Sequence, residues 1–271
     1  MVSIVYLVAG MSSRFNGKLK QMAIVGPCGE TLLEYSLKQA LKCPFNKVIF
    51  VTNPLTEHIF KEKFGNFYKT ELSDVPIEYI KQEYDQNIRD RPWGTTDAIC
   101  SLQKYINEPF LMVNSDDLYG TETFMEGYTM LAKTNNNIIG GIKMNRSLPE
   151  KDEANRGIIT LDDDNDNVLN IKEMLGISKQ KNPELLESYA SVNFIGLVPN
   201  TLVHLNDILV EFKEKHKNDR KIECLLPDSL GILLCDNKIQ MKFFEIKNDI
   251  IGITYPQDEL IIKDILKKMK K

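Results

Sequence analysis

Ser3-Ile4-Val5-Tyr6-Leu7-Val8-Ala9-Gly10-Met11-Ser12-Ser13-Arg14-Phe15-Asn16-Gly17-Lys18-Leu19-Lys20 is the stretch on which the fold turns. Its opening, Ser3 to Val8, is dominated by apolar residues and reads as a buried strand. The strand runs into a loop of small residues, whose backbone N–H groups can converge on one concavity and bind phosphate. Arg14, Lys18 and Lys20 add positive charge there, and arginine can hold a phosphate with two donors. The loop lacks the Gly-Lys-Ser/Thr of a Walker A loop and the G-x-G-x-x-G spacing of a dinucleotide fingerprint. A plain surface turn is the competing reading.

Outward from this stretch, short apolar runs alternate with amphipathic ones, the signature of βαβ units. Thr31 to Cys43 and Glu57 to Phe64 read as helices, and Lys47 to Thr52 and Ile77 to Lys81 as strands. Thr95 to Tyr105 reads as a helix, and Phe110 to Asn114 as a strand that stops at a pair of carboxylates. Four strand–helix units of this kind predict an open parallel sheet with its ligand at the carboxyl ends of the strands. Further on, Ile138 to Lys143, Gly157 to Leu161, Val168 to Lys172, Ser191 to Val198 and Ile250 to Tyr255 read as strands. Thr201 to His216 and Asp258 to Lys270 read as helices. Asp162-Asp163-Asp164-Asn165-Asp166 superficially resembles a calcium loop but lacks the Gly and closing Glu such loops require, so a solvated hairpin turn is expected. No repeat, low-complexity linker or domain boundary stands out, and a single domain over 1–271 is expected.

The 271 residues carry a formal net charge of −4, so no basic face announces a nucleic-acid partner. Five cysteines at scattered spacings, without a CxxC pair, argue against a metal knuckle or disulfide framework and for a reducing compartment. No apolar run reaches the roughly 18 residues of a membrane span, and the N-terminus lacks a charged leader. A cytoplasmic protein with no membrane partner is expected. His58, His204 and His216 lie far apart without metal-ligand spacing and are expected at the surface.

Leu7 to Arg14, then Lys20-Gln21 and Val25-Gly26-Pro27-Cys28-Gly29-Glu30-Thr31-Leu32-Leu33-Glu34-Tyr35-Ser36, resemble the opening of the sugar-phosphate nucleotidylyltransferases. That family reads G-x-G-[ST]-R followed by a lysine; here Ser12 stands in place of the second glycine. Arg91-Pro92-Trp93-Gly94-Thr95-Thr96-Asp97-Ala98 resembles the family's L-G-T-x-x-A segment, with Gln82 at the end of the preceding strand. Val113-Asn114-Ser115-Asp116-Asp117 is similar to its metal-holding element. Arg156-Gly157-Ile158, Ile171-Lys172-Glu173 and Ser191 to Gly196 resemble the segments that hold the sugar, and Thr254 to Asp258 the late element with a second metal-binding acid. The resemblance spans nearly the whole chain and is strongest over residues 4 to 120.

The resemblance implies a Rossmann-like α/β fold, with a mixed, mostly parallel sheet flanked by helices. A nucleotide-binding half is expected over 1–120 and a sugar-phosphate-binding half over 121–271. It implies catalytic roles for Arg14 and Lys20, and nucleotide binding by Ala9, Gly10, Met11, Ser12, Ser13, Gln82, Gly94 and Thr95. It further implies sugar binding by Gly157, Glu173 and Asn193, and Mg²⁺ held by Asp116 and Asp258. Asp117 is either a further metal ligand or a loop acid. A Gln amide carries both a donor and an acceptor, so Gln82 suits uracil or cytosine alike. Without the resemblance, Gly94-Thr95 reads as a helix start with Thr95 as N-cap. Trp93 either packs on the nucleotide or wedges its loop.

The implied reaction moves a nucleoside monophosphate from an NTP, UTP first, to a sugar 1-phosphate. N-acetylglucosamine 1-phosphate and glucose 1-phosphate are the preferred acceptors. The phosphate nucleophile is already ionised, so no Ser-His or Cys-His pair is needed. A cytidylyltransferase acting on a non-sugar phosphate such as phosphocholine is the nearest rival. A nucleotide-sugar-binding regulator that has lost catalysis, favoured by Ser12, is a third. Oligomeric state is left open.

Overall fold

The computed structural model describes residues 1–10, 19–69, 74–134, 136–150 and 152–269. In chain order the strands are β1 (Ser3–Leu7), β2 (Val48–Thr52), β3 (Phe67–Lys69), β4 (Asp74–Lys81), β5 (Phe110–Asn114), β6 (Asp117–Leu118), β7 (Asn137–Lys143), β8 (Ala154–Leu161), β9 (Val168–Ile177), β10 (Tyr189–Leu197), β11 (Met241–Glu245) and β12 (Ile251–Gly252). The helices are α1 (Leu32–Ala40), α2 (Glu57–Phe64), α3 (Thr95–Cys100), α4 (Thr121–Lys133), α5 (Met144–Ser147), α6 (Pro199–Lys215), α7 (Leu226–Cys235) and α8 (Asp258–Met269).

The main sheet runs β11-β7-β10-β5-β1-β2-β4-β3. β1 pairs in parallel with β2 and with β5, and β2 with β4. β10 is antiparallel to both β5 and β7, so β7 and its parallel neighbour β11 point the same way as β1. The sheet is therefore mixed and mostly parallel in strand direction. The chain winds from β1 out to β4, then returns to β5 on the opposite side of β1. That reversal opens a crevice at the carboxyl ends of β1 and β5, where ligands of open α/β sheets bind. Strands β8 and β9 leave the sheet from β10 as an arm over the same end.

Local chemistry accounts for the elements around the crevice. A reciprocal capping box starts α1, with the Thr31 side chain accepting from Glu34 N and the Glu34 side chain accepting from Thr31 N. Leu33 and Leu37 of α1 join Phe60 of α2 and Phe124 of α4 over one sheet face. Ile99 of α3, Leu205 of α6 and Leu230 of α7 cover the other. Ile262 and Leu266 of α8 pack on Leu32 and Leu118 at the crevice edge.

The Asp162–Asp166 segment is a turn, held by Asp162 Oδ1 accepting from Asp166 N and Asn167 N at 2.9 and 3.0 Å. Three expectations shift. The helix at Thr95 ends at Cys100 and passes into turns. Within Ile250 to Tyr255 only Ile251 and Gly252 pair, against β6. Thr95 is not the N-cap of α3: Gly94 takes that position, and Thr95 Oγ1 accepts from Leu226 N at 2.8 Å, capping α7 instead. Among the described residues no helix is long and apolar enough to cross a membrane.

Candidate active site

The end of β5 organises the crevice. Ser115 Oγ donates to Leu7 O at 2.7 Å, tying β5 to β1 where β1 enters the loop. Asp116 forms an ion pair with Lys20 Nζ, and its backbone carbonyl accepts from Ile253 N at 3.1 Å. Asp117 accepts from Asn114 Nδ2 at 2.8 Å. Burial pushes the Asp117 carboxyl up to about 7, and the charge of Asp116 adds to the rise. The Asn114 hydrogen bond and the charges of Arg156 and Lys20 oppose it. Gly252 passes so close that a Cβ there would collide with Asp117 Oδ1.

A cavity of about 600 Å³ opens beside these carboxylates. Asn114, Asp116, Asp117, Gly157, Glu173 and Asn193 line it, so the predicted sugar-binding residues and one predicted metal ligand share one wall. Asn193 reaches it through a bulge in β10. Pairing with β7 slips between Ser191 and Phe194, and Asn193 has φ +58°. A bulge re-aims a side chain that regular alternation would place elsewhere. Asn193 Nδ2 then donates to Asn114 Oδ1 at 3.2 Å, completing a chain from Asn193 through Asn114 to Asp117. Burial, then the charge of Asp228, pushes Glu173 up to about 6, while Arg156 opposes the shift. Glu173 N donates to Asp228 Oδ1 at 3.0 Å, joining β9 to the first turn of α7.

Arg146 and Arg156 also line the cavity, and sequence reasoning singled out neither as a site residue. Arg156 is held by the carbonyls of Asn155 and Ser147 at 2.8 and 2.7 Å. Its adjacency to Gly157 in a segment already quoted for the resemblance was the available signal. Asp258 is not among the lining residues; its Oδ2 accepts from Thr254 N and Tyr255 N at 2.8 and 2.7 Å.

The nucleotide side is described in part. Met11, Ser12, Ser13 and Arg14 lie outside the described residues. Ala9 O accepts from Asn53 Nδ2 at 2.7 Å, and Gly10 is exposed, with no described residue within 4 Å of where a Cβ would stand. Gln82 lies at the end of β4, its Nε2 donating to Gly94 O at 2.9 Å and to Asp97 Oδ2 at 2.8 Å. Gly94 has φ +98°, and a Cβ there would stand 2.6 Å from Cys224 O, so both its conformation and its neighbour require glycine. Trp93 is buried between the Arg89 guanidinium, 3.7 Å from its ring centroid, and Phe212; it wedges the loop. Arg89 is 1% exposed and donates to four carbonyls, those of Arg91, Pro92, Asp219 and Ile222.

Among the described residues no three His, Cys, Asp or Glu side chains gather to hold a metal alone. Asp116 and Asp117, both half-buried and adjacent at a strand end, nevertheless suit Mg²⁺. That ion is held by one or two carboxylates together with substrate phosphates rather than by an all-protein cage.

A family model described as nucleotidyl transferase matches residues 15–187. No curated protein matches the chain significantly. The chain is similar to a Bacillus anthracis protein assigned as a glucose-1-phosphate thymidylyltransferase, in complex with sucrose. That likeness has 12% identity and a TM-score of 0.70, covering 98% of this chain and 96% of that one. It is similar to the inositol-1-phosphate CTP transferase of T. maritima, with 12% identity, a TM-score of 0.66 and 99% and 96% coverage. It is also similar to a UDP-glucose pyrophosphorylase complexed with UDP-glucose, with 14% identity, a TM-score of 0.71 and 99% and 100% coverage. At such identities the likeness is one of fold.

Proposed function

Because this chain belongs to the nucleotidyl transferase family, we propose that it transfers a nucleoside monophosphate from UTP to a sugar 1-phosphate, giving a nucleotide sugar and pyrophosphate. The observation that carries this reading is the arrangement at the end of β5. Lys20 and Asp116 meet there at the strand-order reversal, beside a polar cavity bearing Gly157, Glu173 and Asn193.

In the reaction an oxygen of the acceptor phosphate attacks the α-phosphorus. The bond from that phosphorus to the bridging oxygen breaks, and pyrophosphate leaves with the electron pair. The nucleophile is already anionic, so the residues face an electrostatic and positional task. Lys20 pairs with Asp116 and neutralises its charge. With substrates bound, Lys20 turns its ammonium to the phosphates, and Arg14 adds a second cation. Asp116, with Asp117 beside it, would hold Mg²⁺, which when bound supplies charge neutralisation between the two polyanions. Asn193, held by Asn114, and Glu173 bind acceptor hydroxyls, and Gly157 leaves room for the ring. Asp258, read from the resemblance as a second metal ligand, is occupied with capping Thr254 and Tyr255. It must exchange those hydrogen bonds to take that role.

The test is pyrophosphate release with Mg²⁺ across the four NTPs and a panel of acceptors: sugar 1-phosphates, inositol 1-phosphate and phosphocholine. Release with UTP and a sugar 1-phosphate is expected. Release confined to CTP with inositol 1-phosphate or phosphocholine would keep the reaction class and replace donor and acceptor. UTP binding without turnover and without need of Mg²⁺ would favour a non-catalytic nucleotide-sugar binder.

A further inference from the structure

The Gln82 amide could present either oxygen or nitrogen to a ligand, and its surroundings remove the choice. Both neighbours of Nε2, the Gly94 carbonyl and Asp97 Oδ2, are acceptors. Turning the amide over would set oxygen against oxygen at both contacts and lose two hydrogen bonds. Neither acceptor is loose. Lys213, in the last turn of α6, donates from Nζ to Asp97 Oδ1 at 2.5 Å, and Asp97 is buried. The Gly94 segment is stitched to the chain before α7 by Cys224 N to Trp93 O at 2.7 Å and Thr96 N to Cys224 O at 3.1 Å.

Both amide hydrogens of Gln82 are thus directed inward, and Oε1 has no donor among the described residues. Of the buried side-chain polar atoms there, only Thr56 Oγ1 and Arg156 Nε lack a partner, so Gln82 Oε1 must reach solvent. It does so at the carboxyl edge of the sheet, beside the end of β2, where Gln82 N donates to Thr52 O at 2.8 Å.

We propose that the Asp97–Lys213 pair is a base-specificity device that holds Gln82 as an acceptor-only reader, selecting UTP or dTTP over CTP. The inference rests on the reading above that Gln82 faces the nucleobase. Uracil and thymine carry an N3–H, which matches a lone acceptor. Cytosine carries a bare N3, whose lone pair opposes Oε1. Asp97 and Lys213 touch no substrate and act through Gln82, so they are positioning residues.

The test is calorimetric binding of UTP, CTP and N3-methyl-UTP, with Mg²⁺, to the wild-type chain, D97N and D97N/K213M. The wild-type chain should prefer UTP to either competitor by about 10-fold to 100-fold, the scale of one buried hydrogen bond. In D97N, Lys213 claims the Asn oxygen and turns its amide nitrogen to Gln82, so Gln82 is no longer held. The preference should fall to about threefold or less. In D97N/K213M the Asn oxygen is released to accept from Gln82 again, and the preference should return. A purely structural role predicts the opposite, with the double variant worse than the single and all three nucleotides weakened alike. Equal binding of UTP and N3-methyl-UTP by the wild-type chain overturns the inference, whether or not the variants fold. An unchanged preference in D97N overturns it too, while leaving nucleotidyl transfer intact. If the wild-type chain binds no nucleotide at all, the functional reading fails and the inference with it.

Discussion

Arg89→Met tests how the loop carrying Gly94 is held in place. Met keeps the length and apolar character of the stem but removes every donor. The guanidinium is 1% exposed, and its bonds to Ile222 O and Asp219 O, at 2.5 and 2.6 Å, cross to a segment about 130 residues away. Hydrogen bonds from a charged donor contribute about 1.5–3 kcal/mol each, which gives about 3–6 kcal/mol for these two. Asp219 is exposed, so water can replace part of its bond, and the lower half of that range applies. Stacking on Trp93 adds about 1 kcal/mol, for a total of about 4–5.5 kcal/mol. In a chain of this size that corresponds to a Tm lower by about 8–20 °C. Thermal unfolding followed by circular dichroism measures it. Arg89→Lys should recover less than half the loss, because an ammonium cannot reach four carbonyls spread around a planar fork. A Tm within about 3 °C of wild type for Arg89→Met would refute the reasoning, since it would mean the four carbonyls find other donors at no cost.

The remaining predictions concern the site itself. Asp116→Asn and Arg14→Ala should each lower kcat for pyrophosphate release by at least about 100-fold; near-normal turnover in both would remove the electrostatic account. Gly94→Ala puts a Cβ 2.6 Å from Cys224 O at φ +98° and should cost about 2–4 kcal/mol in denaturant unfolding. UTP binding should weaken alongside, as Gln82 loses its anchor. Glu173, raised to about 6 in the fold, favours the folded state while it is protonated. That contribution is complete below its ordinary value of 4.5 and lost as pH climbs through about 6. Glu173→Gln should therefore match wild-type Tm near pH 4 and exceed it at pH 8; a pH-independent difference would contradict the shift.

How much of this was legible beforehand depended on whether the physics was local. β5 and α2 begin and end where the apolar pattern begins and ends, because a buried strand or an amphipathic helix is written in contiguous residues. α7 went unread: Leu226 to Cys235 is apolar on nearly every side, packed against β9, α3 and α6, and so shows no helical period. Ile250 to Tyr255 looks like a strand, yet only two residues find a partner, because β6 offers just two. Arg89 sits in Asn87-Ile88-Arg89-Asp90-Arg91, a run that reads as a solvated face; the carbonyls that bury it come from residues 219 and 222. The end of β5 was read as a site from its carboxylates, whereas the bulge that carries Asn193 to it depends on register with β7, which no single strand reveals.

The same distinction explains why two adjacent carboxylates can exist at the end of a buried strand. Burial, and then the charge of Asp116, raises the cost of ionising Asp117. The protein meets that cost with groups drawn from separate segments: Lys20 from the segment between β1 and α1, Asn114 from β5 itself, and Arg156 from the β8 arm. Under the proposed function, Lys20 is also a group that the substrate phosphates would use. The site is thus held together in part by a contact that substrates would replace. Removing Lys20 should therefore weaken the empty protein and phosphate binding together. A Lys20→Met variant with full stability and lost nucleotide affinity would separate the two roles, and would show that the hydrogen bond from Ile253 N to the Asp116 carbonyl keeps the end of β5 in place without the ion pair.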